Sequence, residues 1–126
     1  MPLQVELVSP ERILWSGEAD MVVARTSEGD IAFLTGHSPF IGALGVGAVS
    51  IRGTDGTEER AAVHGGFVEV SGDRVTILSD VAELAGDIDA ARARRALEEA
   101  ERRDRTEDAE AEAALRRARL RVELAG

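Results

Sequence analysis

Few side chains in this sequence could carry out catalysis. The 126 residues include no Cys, no Lys and only two His. Without Lys there is no P-loop with its phosphate-binding Lys, and neither a His-Glu-x-x-His metal motif nor a Gly-x-Ser-x-Gly turn occurs. His37 and His64 could meet an Asp and Ser38 in the fold, but nothing in their spacing favours that arrangement. We therefore predict that the chain has no active site of its own.

The charged residues of the last third have an ordinary explanation in helix stability. Asp89 and Arg92 suit a first helical turn, in which an acidic residue and an Arg one turn later stabilise the helix. Four basic residues lie close together further on and suit the end of a helix: Arg116, Arg117, Arg119 and Arg121.

Glycine and proline divide the chain into two parts. All three Pro, and every Gly except Gly126, lie at or before Gly86. Both residues interrupt helices and form turns, so their loss marks a change from turn-rich to helical structure. Charge changes at the same point, from 13 acidic and 5 basic residues in the first part to 11 and 10 in the second. We predict one domain over residues 1–86 and another over residues 87–126.

The first part is predicted to be an antiparallel β-sandwich or barrel, and the whole chain to be of the α+β class. Leu3, Val5 and Leu7 alternate with polar residues, as in a strand with one buried face. Turn signals recur about every ten residues, which is typical of all-β domains. Further strands are predicted at residues 13–17, 21–26, 31–34, 46–52, 60–64, 67–70 and 75–79.

The second part is predicted to be an antiparallel hairpin of two helices. Apolar residues, mostly Ala, recur three or four apart in both segments. The first helix is expected to begin near Ile88 with Asp87 as its N-cap, and the second after Thr106, with the turn near residues 104–106. Alanine buries little area, so we expect the hairpin to be weakly held and detachable from the first domain.

Composition excludes several classes of function. A formal net charge of −9 and a sequence pI near 4.7 argue against nonspecific binding to nucleic acid or anionic lipid, because both need a basic surface. The first residues lack the basic and apolar regions of a signal peptide, and no stretch has the apolar length of a membrane span. We expect a cytoplasmic protein that reaches a membrane only through protein partners.

Five segments, in order, resemble the epsilon subunit of bacterial rotary ATP synthases. Residues 28–40 (EGDIAFLTGHSPF) resemble its acidic-Gly-acidic strand and Gly-His-Ala-Pro loop, with Ser38 in place of the usual Ala. Residues 63–70 (VHGGFVEV) and 75–80 (VTILSD) resemble two later strands. Residues 88–93 (IDAARA) match the opening Ile/Leu-Asp-x-x-Arg-Ala of its first helix, and residues 120–124 (LRVEL) resemble its last helix. The helices look shorter than in longer family members.

The resemblance implies a non-catalytic rotor subunit that takes part in proton-driven ATP synthesis. Its sandwich would join the gamma subunit to the membrane c-ring, on the cytoplasmic face of the cell membrane. Glu28 and Asp30 would face polar loops of the ring, whereas their ordinary role is that of solvated strand-end carboxylates. His37 would contact gamma, whereas its ordinary role is that of a turn residue beside Gly36 and Pro39.

The helical hairpin is the regulatory part in the resembling family. In the catalytic head of alpha and beta subunits, its extended last helix contacts an acidic segment of beta and restrains ATP hydrolysis, a role that the four arginines from Arg116 to Arg121 would suit. In some members a regulatory ATP binds at the positions of Ile88, Asp89, Arg92 and Ala93. This chain has Glu99 where ATP-binding members place another Arg, so we expect weak or absent binding. The alternative is a free β-sandwich ligand-binding module with a helical oligomerisation tail.

Overall fold

The computed structural model of the protein describes residues 2–26, 28–103 and 109–125. In this part of the chain, seven strands precede a 3-10 turn (Ala85–Asp87) and two helices, α1 (Ala90–Arg102) and α2 (Ala109–Ala125). This order confirms the predicted α+β class. The strands are β1 (Leu3–Val8), β2 (Ile13–Thr26), β3 (Gly29–Leu34), β4 (Phe40–Gly53), β5 (Glu58–Ser71), β6 (Arg74–Leu78) and β7 (Ala82–Leu84).

The strands form one sheet that closes on itself. Their order is β1-β6-β5-β4-β2-β3, and an additional pairing of β1 with β2 completes the closure. β7 pairs with β5 outside this path. The pairings are antiparallel except for that of β1 with β6, which is parallel. The alternation of residues in a strand does not report its direction, so this parallel pair could not be predicted.

The core lies inside the closed sheet. Leu3, Val5 and Leu7 are buried as their alternation predicted. The largest buried side chain is that of Phe33 on β3, and most of the other buried core residues are β-branched residues of β1, β2, β4, β5 and β6. Such residues pack well on a pleated surface. The sheet therefore has a core that is independent of the helices.

Two predicted strand pairs are each one long strand. Segments 13–17 and 21–26 join in β2, and segments 60–64 and 67–70 join in β5. Gly65 and Gly66 have φ values of +95° and +122°, so the chain kinks there without leaving the sheet. A Cβ atom at Gly66 would lie 2.0 Å from the carbonyl oxygen of Leu78, which only Gly avoids. Across this kink the outward-facing residues change from even to odd positions.

The start of α1 corrects one prediction. Asp89, not Asp87, is its N-cap: the Asp89 carboxylate accepts a hydrogen bond from the backbone N–H of Arg92 at 3.0 Å. Asp87 ends the preceding 3-10 turn instead, so the helix begins at Ala90 and not near Ile88. Strand β7, which the sequence did not predict, brings the chain to this point. The predicted N-cap Thr106 and the predicted turn at residues 104–106 lie outside the described residues.

Candidate functional site

Helix α2 docks on the outer face of β4 and β5 through two leucines. Leu120 and Leu124 are each 8% exposed. They lie one turn apart, so both point toward the sheet. They pack with one another and with apolar residues of the sheet and of the segment before α1: Ala62, Val46, Ala48, Ala85 and Ile88. The sequence prediction relied on alanine and did not identify this pair, although leucines four residues apart indicate one apolar face of a helix.

The two helices contact each other mainly through alanine. Ala100 of α1 is buried against Leu115 and Ala118 of α2, with Ala96 and Leu97 beside them. This contact confirms the predicted small-residue stripe between the helices. Small residues allow close approach but bury little area, so the leucine contact with the sheet is the larger source of binding energy for the hairpin.

Glu83 of β7 links the sheet to α2. Its Oε1 accepts a hydrogen bond from Nε of Arg121 at 2.6 Å and lies 3.4 Å from Nε2 of His64 on β5. Arg121 and Glu83 are both about one-third exposed, so their ion pair is partly shielded from water. One carboxylate therefore touches both the docked helix and the strand beneath it.

His64 is the most unusual group at this contact. Its side chain is 2% exposed, and neither ring nitrogen has a hydrogen-bond partner in the described structure. Burial lowers the pKa of His64 below its ordinary value, and the charges of Arg121 and Arg117 lower it further, whereas Glu83 acts in the opposite direction. His64 is therefore neutral at pH 7 while α2 is docked.

The residues of the Ile/Leu-Asp-x-x-Arg-Ala motif line a cavity of about 260 Å³ at the start of α1. The hydrogen bond from the Arg92 backbone lowers the pKa of the Asp89 carboxyl. The structure brings all four predicted positions together and adds others from the sheet, the 3-10 turn and both helices. The lining residues are Glu83, Asp87, Ile88, Asp89, Arg92, Ala93, Ala96 and Arg121.

The charges of this cavity suit a polyphosphate poorly. Two arginines, Arg92 and Arg121, share it with three carboxylates, those of Glu83, Asp87 and Asp89. Arg121 is already bound to Glu83. Glu99 lines a separate depression between the helices. These carboxylates oppose the binding of an anionic ligand.

The four arginines of α2 divide between two sides of the helix. Arg117 donates to Glu110 of the same helix at 2.5 Å, and Arg121 donates to Glu83. Arg116 and Arg119 are exposed and instead line a second cavity beside the sheet. While α2 is docked, the four arginines therefore do not form one continuous basic surface.

The acidic residues Glu28 and Asp30 lie at the turn between β2 and β3. Asp30 is paired with its cross-strand neighbour Arg25, with Oδ1 3.0 Å from the arginine Nε. Glu28 is exposed, and its backbone N–H donates to the hydroxyl of Thr26. Asp30 thus has a local partner that the sequence analysis did not foresee.

His37 lies in the turn between β3 and β4, away from the contact that holds His64. Its Nδ1 is 2.7 Å from the carbonyl oxygen of Ser38, and its ring meets the buried Phe33 edge-on, with centroids 5.0 Å apart. The turn is held by a bond from the Gly36 N–H to the Asp73 carboxylate. The structure does not place the two histidines and Ser38 in one constellation.

An exposed apolar row crosses the outside of the sheet. The register Ile13–Val8–Leu78–Phe67–Ala43 runs across β2, β1, β6, β5 and β4. Ile13, Leu78 and Phe67 are 52–58% exposed, and Ile41 beside them is 71% exposed. Exposed apolar residues that form a row in this way mark a surface for a partner. Sequence reasoning missed it, because the kink at Gly65 and Gly66 decides which residues face outward.

The described residues contain neither a metal-binding cluster nor a membrane-spanning helix. No group of three or more His, Asp or Glu side chains is placed to hold a metal ion. No described helix is long and apolar enough to cross a membrane.

Comparison with known proteins places these features in a family of subunits built from a β-sandwich and helices. Residues 2–85 match the model of the ATP synthase delta/epsilon chain β-sandwich domain. An ATP synthase epsilon chain of Streptomyces griseus is 50% identical over 120 residues, covering 95% of this chain and 92% of the relative. One from Thermobifida fusca is 51% identical over 126 residues, covering 98% and 91%. The chain belongs to the ATP synthase epsilon chain family.

Solved structures show the same fold. A chain in the mitochondrial ATP synthase of Euglena gracilis, solved with OSCP, F1 and the c-ring, matches with a TM-score of 0.85 at 24% identity. The match covers 98% of this chain and 81% of that one. A chain from the central stalk and c-ring of the Tetrahymena thermophila enzyme matches at 0.66 and 17% identity, covering 100% and 98%. At these identities the likeness concerns the fold alone.

Proposed function

We propose that the protein is a non-catalytic subunit of the central stalk of a bacterial ATP synthase, which joins gamma to the membrane c-ring and restrains ATP hydrolysis. The observation that carries the proposal is its identity of about 50% to epsilon chains across both the sheet and the helices. As part of that complex it would be peripheral to the cytoplasmic face of the cell membrane. It would also approach the alpha and beta subunits through its hairpin.

The exposed apolar row is the surface best suited to gamma. In a complex, Ile41, Phe67 and Leu78 would be buried. This burial would stabilise the complex by about 25 cal/mol for each Å² of apolar surface removed from water. His37 is proposed as a further gamma contact, because its ring is held in place by Phe33 and Ser38. The row remains uncovered by α2, so the sheet can bind a partner while the hairpin stays docked.

The turn between β2 and β3 is proposed to face the c-ring. Glu28 is exposed and free to pair with polar or basic ring loops. Asp30 already pairs with Arg25, so it would contact the ring as part of this ion pair and not as an isolated charge. Exposed ion pairs contribute only about 0–1 kcal/mol each. This contact would therefore affect the position of the turn on the ring more than the affinity for the ring.

The hairpin is proposed to exchange between the docked position and an extended one that reaches the catalytic head. Docking occupies Arg121 with Glu83 of the sheet, whereas Arg117 pairs with Glu110 within α2. Release would free Arg121 from the sheet to pair with acidic surface on the head. In the docked state, part of the arginine charge that would inhibit hydrolysis would therefore be neutralised within the protein. Regulatory ATP would have little influence on the exchange between the two positions.

Co-purification from bacterial membranes tests the proposal. Tagged protein should elute with alpha, beta and gamma chains, whereas a free ligand-binding module would elute alone. Ile41→Asp and Phe67→Asp should abolish gamma capture, because a charge would be buried in the apolar contact. Thr54→Asp is the control, since Thr54 is exposed in the turn between β4 and β5, outside the row. Capture by both row variants at the wild-type level would contradict the gamma assignment.

A further inference from the structure

Asp73 has an unusual backbone conformation for its residue type. It lies in the two-residue turn between β5 and β6, which the pairing of Ser71 with Arg74 closes. Its φ is +60°, and no other non-glycine residue of the described ranges has a positive φ. Glycine adopts this conformation at a lower cost, so the turn itself does not require the aspartate side chain.

Asp73 joins three parts of the chain that are distant in the sequence. Its Oδ1 accepts a hydrogen bond from the backbone N–H of Gly36 at 2.8 Å, across 37 positions. Its backbone carbonyl oxygen accepts another from the N–H of Gln4 at 2.8 Å. The β5–β6 turn is therefore bound to the start of β1 through its backbone, and to the turn between β3 and β4 through the Asp73 carboxylate.

The turn that this carboxylate holds carries His37. The imidazole is half-buried and stands edge-on to two aromatic rings, with its centroid 5.0 Å from that of Phe33 and 6.3 Å from that of Phe40. Gly36 directly precedes His37 in the chain. The hydrogen bond to Asp73 therefore restrains the backbone from which the imidazole projects.

We propose that Asp73 is a positioning residue for the contact between His37 and gamma, an inference that rests on the proposed function. The Asp73 carboxylate holds the β3–β4 turn in its binding conformation before gamma arrives, so association does not have to order the turn. Without this hydrogen bond the turn samples other conformations, and the entropy lost on ordering it weakens the complex. Asp73 acts through His37 and does not need to touch gamma.

Variants of the full-length chain test this role by their affinity for an alpha–beta–gamma complex purified without this subunit, measured by biolayer interferometry. Asp73→Gly still adopts the positive φ but lacks the acceptor. Its melting temperature should change little, whereas its affinity should fall about tenfold, because a hydrogen bond to a charged group is lost. Asp73→Asn keeps an oxygen acceptor and tolerates the positive φ, so its affinity should stay within about threefold of wild type.

A double variant shows whether Asp73 acts through His37. His37→Ala should weaken binding, and adding Asp73→Gly should cause little further loss, because the group that Asp73 positions is already absent. In the isolated chain, NMR should show faster exchange of the Gly36 amide with solvent in Asp73→Gly than in wild type.

Asp55→Gly is the matched control. Asp55 also accepts a hydrogen bond from a backbone N–H, but the donor is Thr57 of the same β4–β5 turn, so no distant segment depends on it. Its affinity should equal that of wild type. Wild-type affinity of Asp73→Gly, an Asp73→Asn variant as weak as Asp73→Gly, or losses that add in full in the double variant would overturn this inference alone. Wild-type affinity of His37→Ala would overturn the proposed His37–gamma contact as well.

Discussion

Leu124 offers a direct way to weaken the docking of the hairpin. Its side chain is 8% exposed and packs with Leu120 against the sheet. Burial of a leucine side chain contributes about 1.5–3 kcal/mol. Replacement of a buried leucine by Ala costs about 2–5 kcal/mol, and the lower end applies here because the edge of the contact is open to water.

The expected change can be expressed as a population. Two leucines contribute about 3–6 kcal/mol to docking, and ordering of side chains offsets part of this, so we take the docked state to be favoured by about 3 kcal/mol. The undocked fraction is then below about 1%. Loss of about 2 kcal/mol in Leu124→Ala should raise it to about 15%.

Spin labels can measure this fraction, because the chain has no Cys of its own. Labelled cysteines at Thr54 and Glu112 report the distance from the β4–β5 turn to α2, since both positions are exposed. Double electron–electron resonance should show a second, longer distance in Leu124→Ala. Ile41→Ala, which removes an exposed apolar side chain, is the control and should leave one distance. An unchanged distribution in Leu124→Ala would refute the reasoning.

Three further predictions follow from the same contacts. Residues 1–86 should fold alone and melt cooperatively in a thermal scan, because the core lies inside the closed sheet; a non-cooperative melt would assign the hairpin to the core. Calorimetry with MgATP should detect weak or no binding, since carboxylates surround Arg92; micromolar affinity that Asp89→Ala abolishes would contradict this. Docking should weaken as pH falls below about 6.5, because the undocked chain protonates His64 before the docked chain does. The labelled pair should show this between pH 7.5 and 5.5, and His64→Gln should remove the dependence.

The strand pattern was predictable wherever one face of a strand is buried. Leu3, Val5 and Leu7 alternate in the sequence and fill the core in the structure. Gly65 and Gly66 concealed the continuity of β5, because glycines that usually end a strand here only bend it. The apolar row could not be predicted either, because the outward position of Phe67 follows from that bend and its neighbours are set by the register of β5 with β4 and β6.

The sequence predicted which residues belong to the candidate site, but not which of them contact one another. The motif at Asp89 and Arg92 does line a cavity, and Asp89 is an N-cap. The pairing of Arg121 with Glu83, above the buried His64, joins residues that are far apart in the chain. Local patterns of charge carry no information about such pairs. The division of the arginine run between two sides of α2 also depends on where the helix docks.

We propose that the arginines of α2 restrain hydrolysis by pairing with the catalytic head. Each exposed pair contributes about 0.2–1 kcal/mol, so four contribute about 0.8–4 kcal/mol, and salt should weaken them. Replacement of Arg121 also loosens docking, because it removes the pair with Glu83. Arg116→Ala/Arg119→Ala leaves this pair, and the Arg117–Glu110 pair within α2, intact.

The decisive measurement is the rate of ATP hydrolysis by the assembled complex at low and high salt. The variant in which Arg116, Arg117, Arg119 and Arg121 are all Ala should hydrolyse ATP faster than wild type at low salt. The Arg116→Ala/Arg119→Ala variant should give part of this increase, and high salt should remove the difference. Assembly should be unchanged, because it is assigned to the sheet. Equal hydrolysis by wild type and the fourfold variant at both salt concentrations would contradict the account.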